Sequence, residues 1–212
     1  MSKKRGILLS FEGIEGTGKS TQTRRLCKYL KDKGISYTLL REPGSSVIGE
    51  QIRDILLFSK GKLSYFAETL LFIVARDQLR RQKIETALEK KDVVILDRYA
   101  DATIAYQGYG SGVDINLIND LNNRAMGDAI ADVTILFDVD PPIGLVRSGR
   151  NDRFEKRKMD FHERVRRGYL KIAKANPKRI KIINASEDVA SIQDKVREIF
   201  LSVFKPRKVR QH

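Results

Sequence analysis

The stretch Gly13-Ile-Glu-Gly-Thr-Gly-Lys-Ser20 limits the fold more than any other part of this chain. It has the spacing G-x-x-x-x-G-K-[ST], with the apolar run Ile7-Leu-Leu-Ser-Phe11 before it and helical spacing after it. Glycines at these positions let backbone N–H groups turn inward on a polyphosphate, and Lys19 reaches the β- and γ-phosphates. Ser20 offers a hydroxyl to Mg²⁺, and the helix that opens near Thr21 presents its positive N-terminal end. Gly13, Ile14, Glu15, Gly16, Thr17, Gly18, Lys19, Ser20 and Thr21 are therefore the candidate phosphate-binding set, implying a nucleoside triphosphate site. A dinucleotide fingerprint is excluded, because Gly13, Gly16 and Gly18 do not fit G-x-G-x-x-G.

Short β-branched runs alternate with helical segments, as in a parallel sheet wrapped by helices. The strands are expected at Ile7–Phe11, Tyr37–Leu40, Asp92–Leu96, Val133–Phe137 and Ile180–Ile183. The spacing of Ile48, Ile52, Ile55 and Leu56 predicts a helix. A longer helix is expected from about Ser64 to Lys90, with Phe66, Leu70, Ile73 and Val74 on its apolar side. Pro141 opens a short helix; Phe161, Val165, Tyr169 and Ile172 mark another, and Ile192, Val196, Ile199 and Val203 a last one. The fold class is α/β, a P-loop NTPase fold in which a five-stranded parallel sheet has helices on both faces. With 212 residues, 41% of them hydrophobic, the chain is expected to form one domain over 1–212.

A single cysteine, Cys27, fits a reducing compartment. No run approaches membrane-spanning length, so a soluble, cytoplasmic protein is expected. The net charge of +14 suits an anion-binding protein without naming the anion. Part of it lies in the basic tail 205–212 and part in a short cationic lid at about 148–158.

Ligands of such sheets gather at the carboxyl ends of strands. Asp97 ends an apolar strand, where a carboxylate helps hold Mg²⁺ or caps the next helix. Arg98 beside it suits capture of a phosphate, the alternative being an ion pair with Asp97 or Glu12. In the lid, Arg150 and Arg153 are candidate arginine fingers or parts of a solvated charge run. Phe72 and Arg76 are four apart on one helical face, a ring and a guanidinium able to read a base, the alternative for the ring being core packing. Neither His162, in a charged helix start, nor His212, the last residue, is read as catalytic.

Together, Phe11-Glu-Gly-Ile-Glu-Gly-Thr-Gly-Lys-Ser20, Arg41-Glu-Pro-Gly44, Leu71-Phe72-x-x-x-Arg76, Asp97-Arg98-Tyr99, Ala105-Tyr-Gln-Gly108 and Asp152-Arg-Phe-Glu155 resemble the bacterial thymidylate kinases. The resemblance runs from the first strand to the last helix. It implies Mg·ATP as donor, thymidine monophosphate (dTMP) as acceptor and a homodimer. It also implies roles by position: Phe72 stacking on thymine, Arg76 bonding its edge, and Thr103 and Gln107 lining the base pocket. Tyr106 would crowd the sugar, Arg53 and Arg98 would grip the acceptor phosphate with Pro43 nearby, and Glu15 would approach the acceptor sugar. The family places its catalytic arginine either in the phosphate loop or in the lid. Gly16 stands where the first design has arginine, so the chain resembles the lid type, with Lys19, Arg98, Arg150 and Arg153 as catalytic candidates. It departs from the family's common Gly-Gly after Glu-Pro, having Gly44-Ser45-Ser46. Two other readings follow from the residues: a different nucleotide or deoxynucleoside kinase of this fold, or a nucleic-acid-binding NTPase.

Overall fold

Strand β1 (Ile7–Glu12) is mostly apolar, with Ser10 and Glu12 the exceptions, and is buried on both faces, as suits the middle strand of a parallel sheet. A computed structural model describes residues 5–149 and 153–205. In it β1 pairs in parallel with β3 (Val93–Asp97) on one side and β4 (Val133–Asp138) on the other. With β2 (Tyr37–Arg41) and β5 (Ile180–Asn184), the order is β2-β3-β1-β4-β5. All five strands fall within about a residue of their expected positions, because each is a short apolar run bounded by polar or turn residues. The phosphate loop follows β1, at the point where the strand order reverses and a crevice opens.

Alternate residues of the strands serve opposite faces. Leu8, Val94 and Leu96 pack with Leu79, Ile84, Leu88 and Met126. Leu9, Phe11, Val93 and Ile95 belong to the larger core with Leu26 and Leu30. Each side chain fully removed from water contributes about 1.5–3 kcal/mol. The helices of these layers begin with α1 (Lys19–Asp32), α2 (Val47–Phe58) and α3 (Tyr65–Leu79). Ser46 and Ser64 cap α2 and α3 by accepting from the Gly49 and Ala67 N–H groups. A π-helical turn, Arg80–Ile84, carries α3 into α4 (Glu85–Lys90), giving the long helix expected there.

Its surface differs from expectation: Ile73 is buried, whereas Phe66, Leu70 and Val74 are exposed. Helical spacing marks an apolar stripe but not what covers it, and Ala75, Arg76 and Leu79 occupy the inward face instead.

After β3 come α5 (Ala100–Thr103) and a second π-helical segment, Ile104–Gly110, then α6 (Ile115–Met126). After β4 come α7 (Pro141–Ser148), α8 (Met159–Ala175) and α9 (Val189–Val203). Gly168 lets α8 approach the Ile104–Gly110 segment closely, since a Cβ there would lie 2.7 Å from the Tyr109 side chain. That approach sets Phe161 and Tyr169 against the Tyr106 ring and His162 near Glu15.

Candidate active site

At the carboxyl ends of the strands lies a cleft of about 800 Å³. Its walls include Arg41, Glu42 and Pro43 from one sheet edge and Ala185, Glu187, Asp188 and Val189 near the other, with the phosphate loop at the central strand. Of the phosphate-binding set, Glu15, Gly16, Thr17, Gly18, Lys19, Ser20 and Thr21 line it. Gly13 and Ile14 lie beneath and serve through their carbonyls, which accept from Lys19 Nζ at 2.9 and 2.6 Å. The loop needs its glycines: Gly16 and Gly18 sit at φ 66° and 84°. A Cβ on Gly16 would stand 1.7 Å from the Gly144 carbonyl oxygen of α7.

The acceptor-side candidates Pro43, Arg53, Phe72, Arg76, Arg98, Thr103, Tyr106 and Gln107 line the same cleft, as does Asp97. In sequence they are spread over separate helices, a strand end and loops from Pro43 to Gln107, and the sheet brings them together. Arg53 is oriented by its hydrogen bond to the Pro43 carbonyl at 3.0 Å. Arg76 is wholly buried, donating to both Glu42 carboxylate oxygens, to Asn122 Oδ1 and, at 2.9 Å, to Thr103 Oγ1. Glu42 is therefore the counter-ion that lets the Arg76 guanidinium sit buried in the cleft wall.

Arg98 pairs with neither Asp97 nor Glu12. Its guanidinium donates to the Gly13 carbonyl at 2.9 Å and to Glu15 Oε1 at 3.1 Å, and lies 5.0 Å over the Tyr106 ring. Its backbone is left-handed, φ 68°, a conformation that costs a non-glycine residue on the order of 1 kcal/mol and that aims the side chain back over the loop. Burial opposes its charge, but Tyr106, Tyr169 and the carboxylates of Glu15 and Glu12 hold it firmly protonated. Burial pushes Glu15 up, yet Arg98 and Lys19 outweigh it, and its pKa lies below the usual carboxylate range. Tyr106 donates to the same Glu15 oxygen at 2.5 Å.

Lys19 is brought down to about 7, chiefly by burial and then by Arg98. Negative phosphate oxygens would restore its charge, so the loop is built for a ligand that supplies them.

Tertiary contacts bring Glu12, Tyr169 and His162 to the site in ways their local sequence does not show. Glu12, fully buried, accepts from the Tyr99 N–H at 2.6 Å and the Tyr169 hydroxyl at 2.8 Å. Tyr169 looked like helix core, and its spacing could not show the hydroxyl that also meets Arg98 at 3.3 Å. His162, near the charged start of α8, is buried, with Nδ1 3.8 Å from Glu15 Oε2.

Burial, with Asp101 adding to it, raises the Glu12 carboxyl from its usual 4.5 to about 7. The folded protein thus holds this proton more tightly than the unfolded chain. The stabilisation is complete below the unfolded value and is lost as pH rises through about 7. Glu12→Gln keeps the neutral form at every pH. Urea unfolding should therefore show the variant gaining on the parent by roughly 2 kcal/mol from about pH 5 to about pH 8. A difference that stays constant across this range would mean that Glu12 is not perturbed.

In the lid, Arg150 lies outside the described residues. Arg153 is described, and rather than reaching the phosphate loop it rests on Glu68, joined there by Arg157 at 3.0 Å. The next residue, Phe154, does line the cleft, its ring 6.1 Å from Phe72 and 6.2 Å from Tyr106. Ser20 and Asp97, both on the cleft wall, offer one hydroxyl and one carboxylate. Such a donor set fits Mg²⁺, which keeps several waters and takes its remaining ligands from substrate phosphates.

A phosphate loop at the switch point of a five-stranded parallel sheet, sharing its cleft with Arg53, Arg76 and Arg98, fits a nucleotide kinase of the P-loop class. The thymidylate kinase family model matches residues 11–196. A thymidylate kinase from Kosmotoga olearia is 41% identical over 202 residues, covering 94% of this chain and 97% of that one. One from Symbiobacterium thermophilum is 39% identical, covering 96% of each. The crystal structure of the Ehrlichia chaffeensis thymidylate kinase superposes with a TM-score of 0.78 at 36% identity, covering 92% of this chain and 98% of that one. The chain belongs to the thymidylate kinase family and is an enzyme, a phosphotransferase. That membership sets aside the nucleic-acid-binding NTPase.

Proposed function

We propose that this cleft transfers the γ-phosphoryl group of Mg·ATP to dTMP, giving dTDP, with the residues below in named roles. The observation that carries this reading is the joint lining of one cleft by the phosphate loop and by Phe72, Arg76, Thr103, Tyr106 and Gln107. Transfer to a phosphate acceptor needs no strong base, because a monophosphate is already largely the dianion at neutral pH. It needs two polyanions held in line and their charge neutralised as it shifts. The backbone of Gly13 to Thr21 and the Lys19 ammonium hold the donor, while Arg98 and Arg53 hold the acceptor phosphate. Phe72 stacks on the base, with Arg76, Thr103 and Gln107 at its edge. Tyr106 and Glu15, bonded to each other, stand where the sugar passes. Bound Mg²⁺, on Ser20 and Asp97, would neutralise phosphate charge. Arg153, or Arg150, supplies the catalytic guanidinium when the lid closes.

The exposed stripe Phe66, Leu70 and Val74 on α3 lies at i, i+4 and i+8, and Ile55 and Phe58 of α2 are exposed as well. These faces suit a second copy of the chain, which supports a homodimer. No helix among the described residues is long and apolar enough to cross a membrane, consistent with work in the cytoplasm, over one domain.

Phe72→Ala tests the acceptor side. Losing a base stack worth about 1–3 kcal/mol should raise KM for dTMP roughly tenfold to a hundredfold and leave KM for ATP unchanged. Equal changes in both constants would remove Phe72 from the base site.

A further inference from the structure

Glu68 lies on α3 and is 1% exposed, yet no part of the phosphotransfer reading uses it. Its carboxylate collects three donors. Gln107 Nε2 donates to Oε1 at 2.9 Å, Arg153 donates to Oε2, and Arg157 donates to Oε2 at 3.0 Å. A carboxylate at neutral pH accepts hydrogen bonds and cannot donate them. Gln107 must therefore turn its NH₂ toward Glu68, which leaves Oε1 on the other side. That oxygen is buried and has no partner, although Gln107 itself lines the cleft. A buried unpaired acceptor costs about 1–3 kcal/mol until a donor meets it.

We infer that Glu68 is a positioning residue for acceptor choice: it locks the Gln107 amide so that the cleft offers an acceptor to the base. A pyrimidine with an N–H in its ring at that edge satisfies Oε1. One with a bare ring nitrogen, such as cytosine, brings a lone pair against a lone pair, and Gln107 cannot flip without setting its own oxygen against the Glu68 carboxylate. The same carboxylate anchors Arg153 and Arg157 of the lid, so base discrimination and lid position share one buried charge.

This inference rests on Gln107 facing the base, and the test separates the two. For the parent enzyme, Glu68→Gln and Gln107→Leu, kcat/KM is measured with dTMP and with dCMP. In Glu68→Gln the neighbouring amide can donate or accept, so Gln107 is free to flip. The dTMP-to-dCMP preference should then fall about tenfold or more, beyond any loss common to both substrates from the loosened lid. If Gln107→Leu erodes the preference but Glu68→Gln does not, the positioning role is wrong. If Gln107→Leu leaves the preference intact, Gln107 does not face the base, and the inference falls with that reading.

Should Glu68→Gln fail to fold, the parent enzyme still decides. The Gln107 side-chain NH₂ resonances, assigned by their loss in Gln107→Leu, should be protected from solvent exchange both without and with dTMP. Rapid exchange of both protons would overturn the lock.

Discussion

Replacing Arg98 by alanine should lower kcat/KM for dTMP about a thousandfold, the scale seen when one preorganised charge is removed from a site of developing negative charge. Arg98 is tied to the phosphate loop through the Gly13 carbonyl, to Glu15, and to the Tyr106 ring. Its left-handed backbone adds strain that the surroundings must sustain. Arg98→Ala keeps that strain and deletes the charge. It also leaves Glu15 buried with Lys19 as its remaining nearby cation, so some stability should be lost too. Arg98→Lys restores the charge without the planar fork and should recover only part of the activity. Steady-state kinetics at saturating ATP, with circular dichroism to confirm folding, measures this. A folded Arg98→Ala enzyme turning over near the parent rate would remove Arg98 from the acceptor-phosphate site.

Arg153→Ala should lower kcat roughly a hundredfold or more while leaving KM for ATP nearly unchanged, since a lid guanidinium acts on the transition state. Here Arg153 rests on Glu68, so the proposed role requires it to exchange that partner for the transferring phosphoryl group. A change confined to KM would make it a binding residue and leave Arg150 as the finger. An arginine introduced at position 16 should not rescue the loss. Position 16 is at φ 66°, and any Cβ there collides with the Gly144 carbonyl. Gly16→Arg, alone or with Arg153→Ala, should therefore be destabilised and inactive. This packing disfavours an arginine in the phosphate loop and so supports the proposed lid arginine.

The parts of the site legible in the sequence were those set by local rules. The phosphate loop is a contiguous pattern whose glycines each meet a backbone requirement, and the strands before it and beside it are unbroken apolar runs. Asp97 and Arg98 followed from standing at a strand end. Partners brought together by tertiary contact were not legible. Glu42 and Glu68 read as ordinary acids of a loop and a helix, and nothing local shows that each is buried against arginines. Tyr169 and His162 sit at helical spacings that equally describe core and solvent. The stripe Phe66, Leu70 and Val74 failed in the opposite sense, being apolar and periodic but facing outward. A single helix carries no record of which of its faces the sheet will take.

The acceptor preference is the most direct measure of what this cleft does. ATP is supplied with dTMP, dUMP, dCMP, dAMP, dGMP and unphosphorylated thymidine in turn, and diphosphate or monophosphate formation is followed by chromatography. The expected result is dTDP formed with the highest kcat/KM, weak activity with other monophosphates, and none with thymidine, which lacks the phosphate that Arg98 and Arg53 are proposed to hold. A preference for a purine monophosphate, or for the unphosphorylated nucleoside, would contradict the assignment of Phe72, Arg76 and Gln107 to a thymine site.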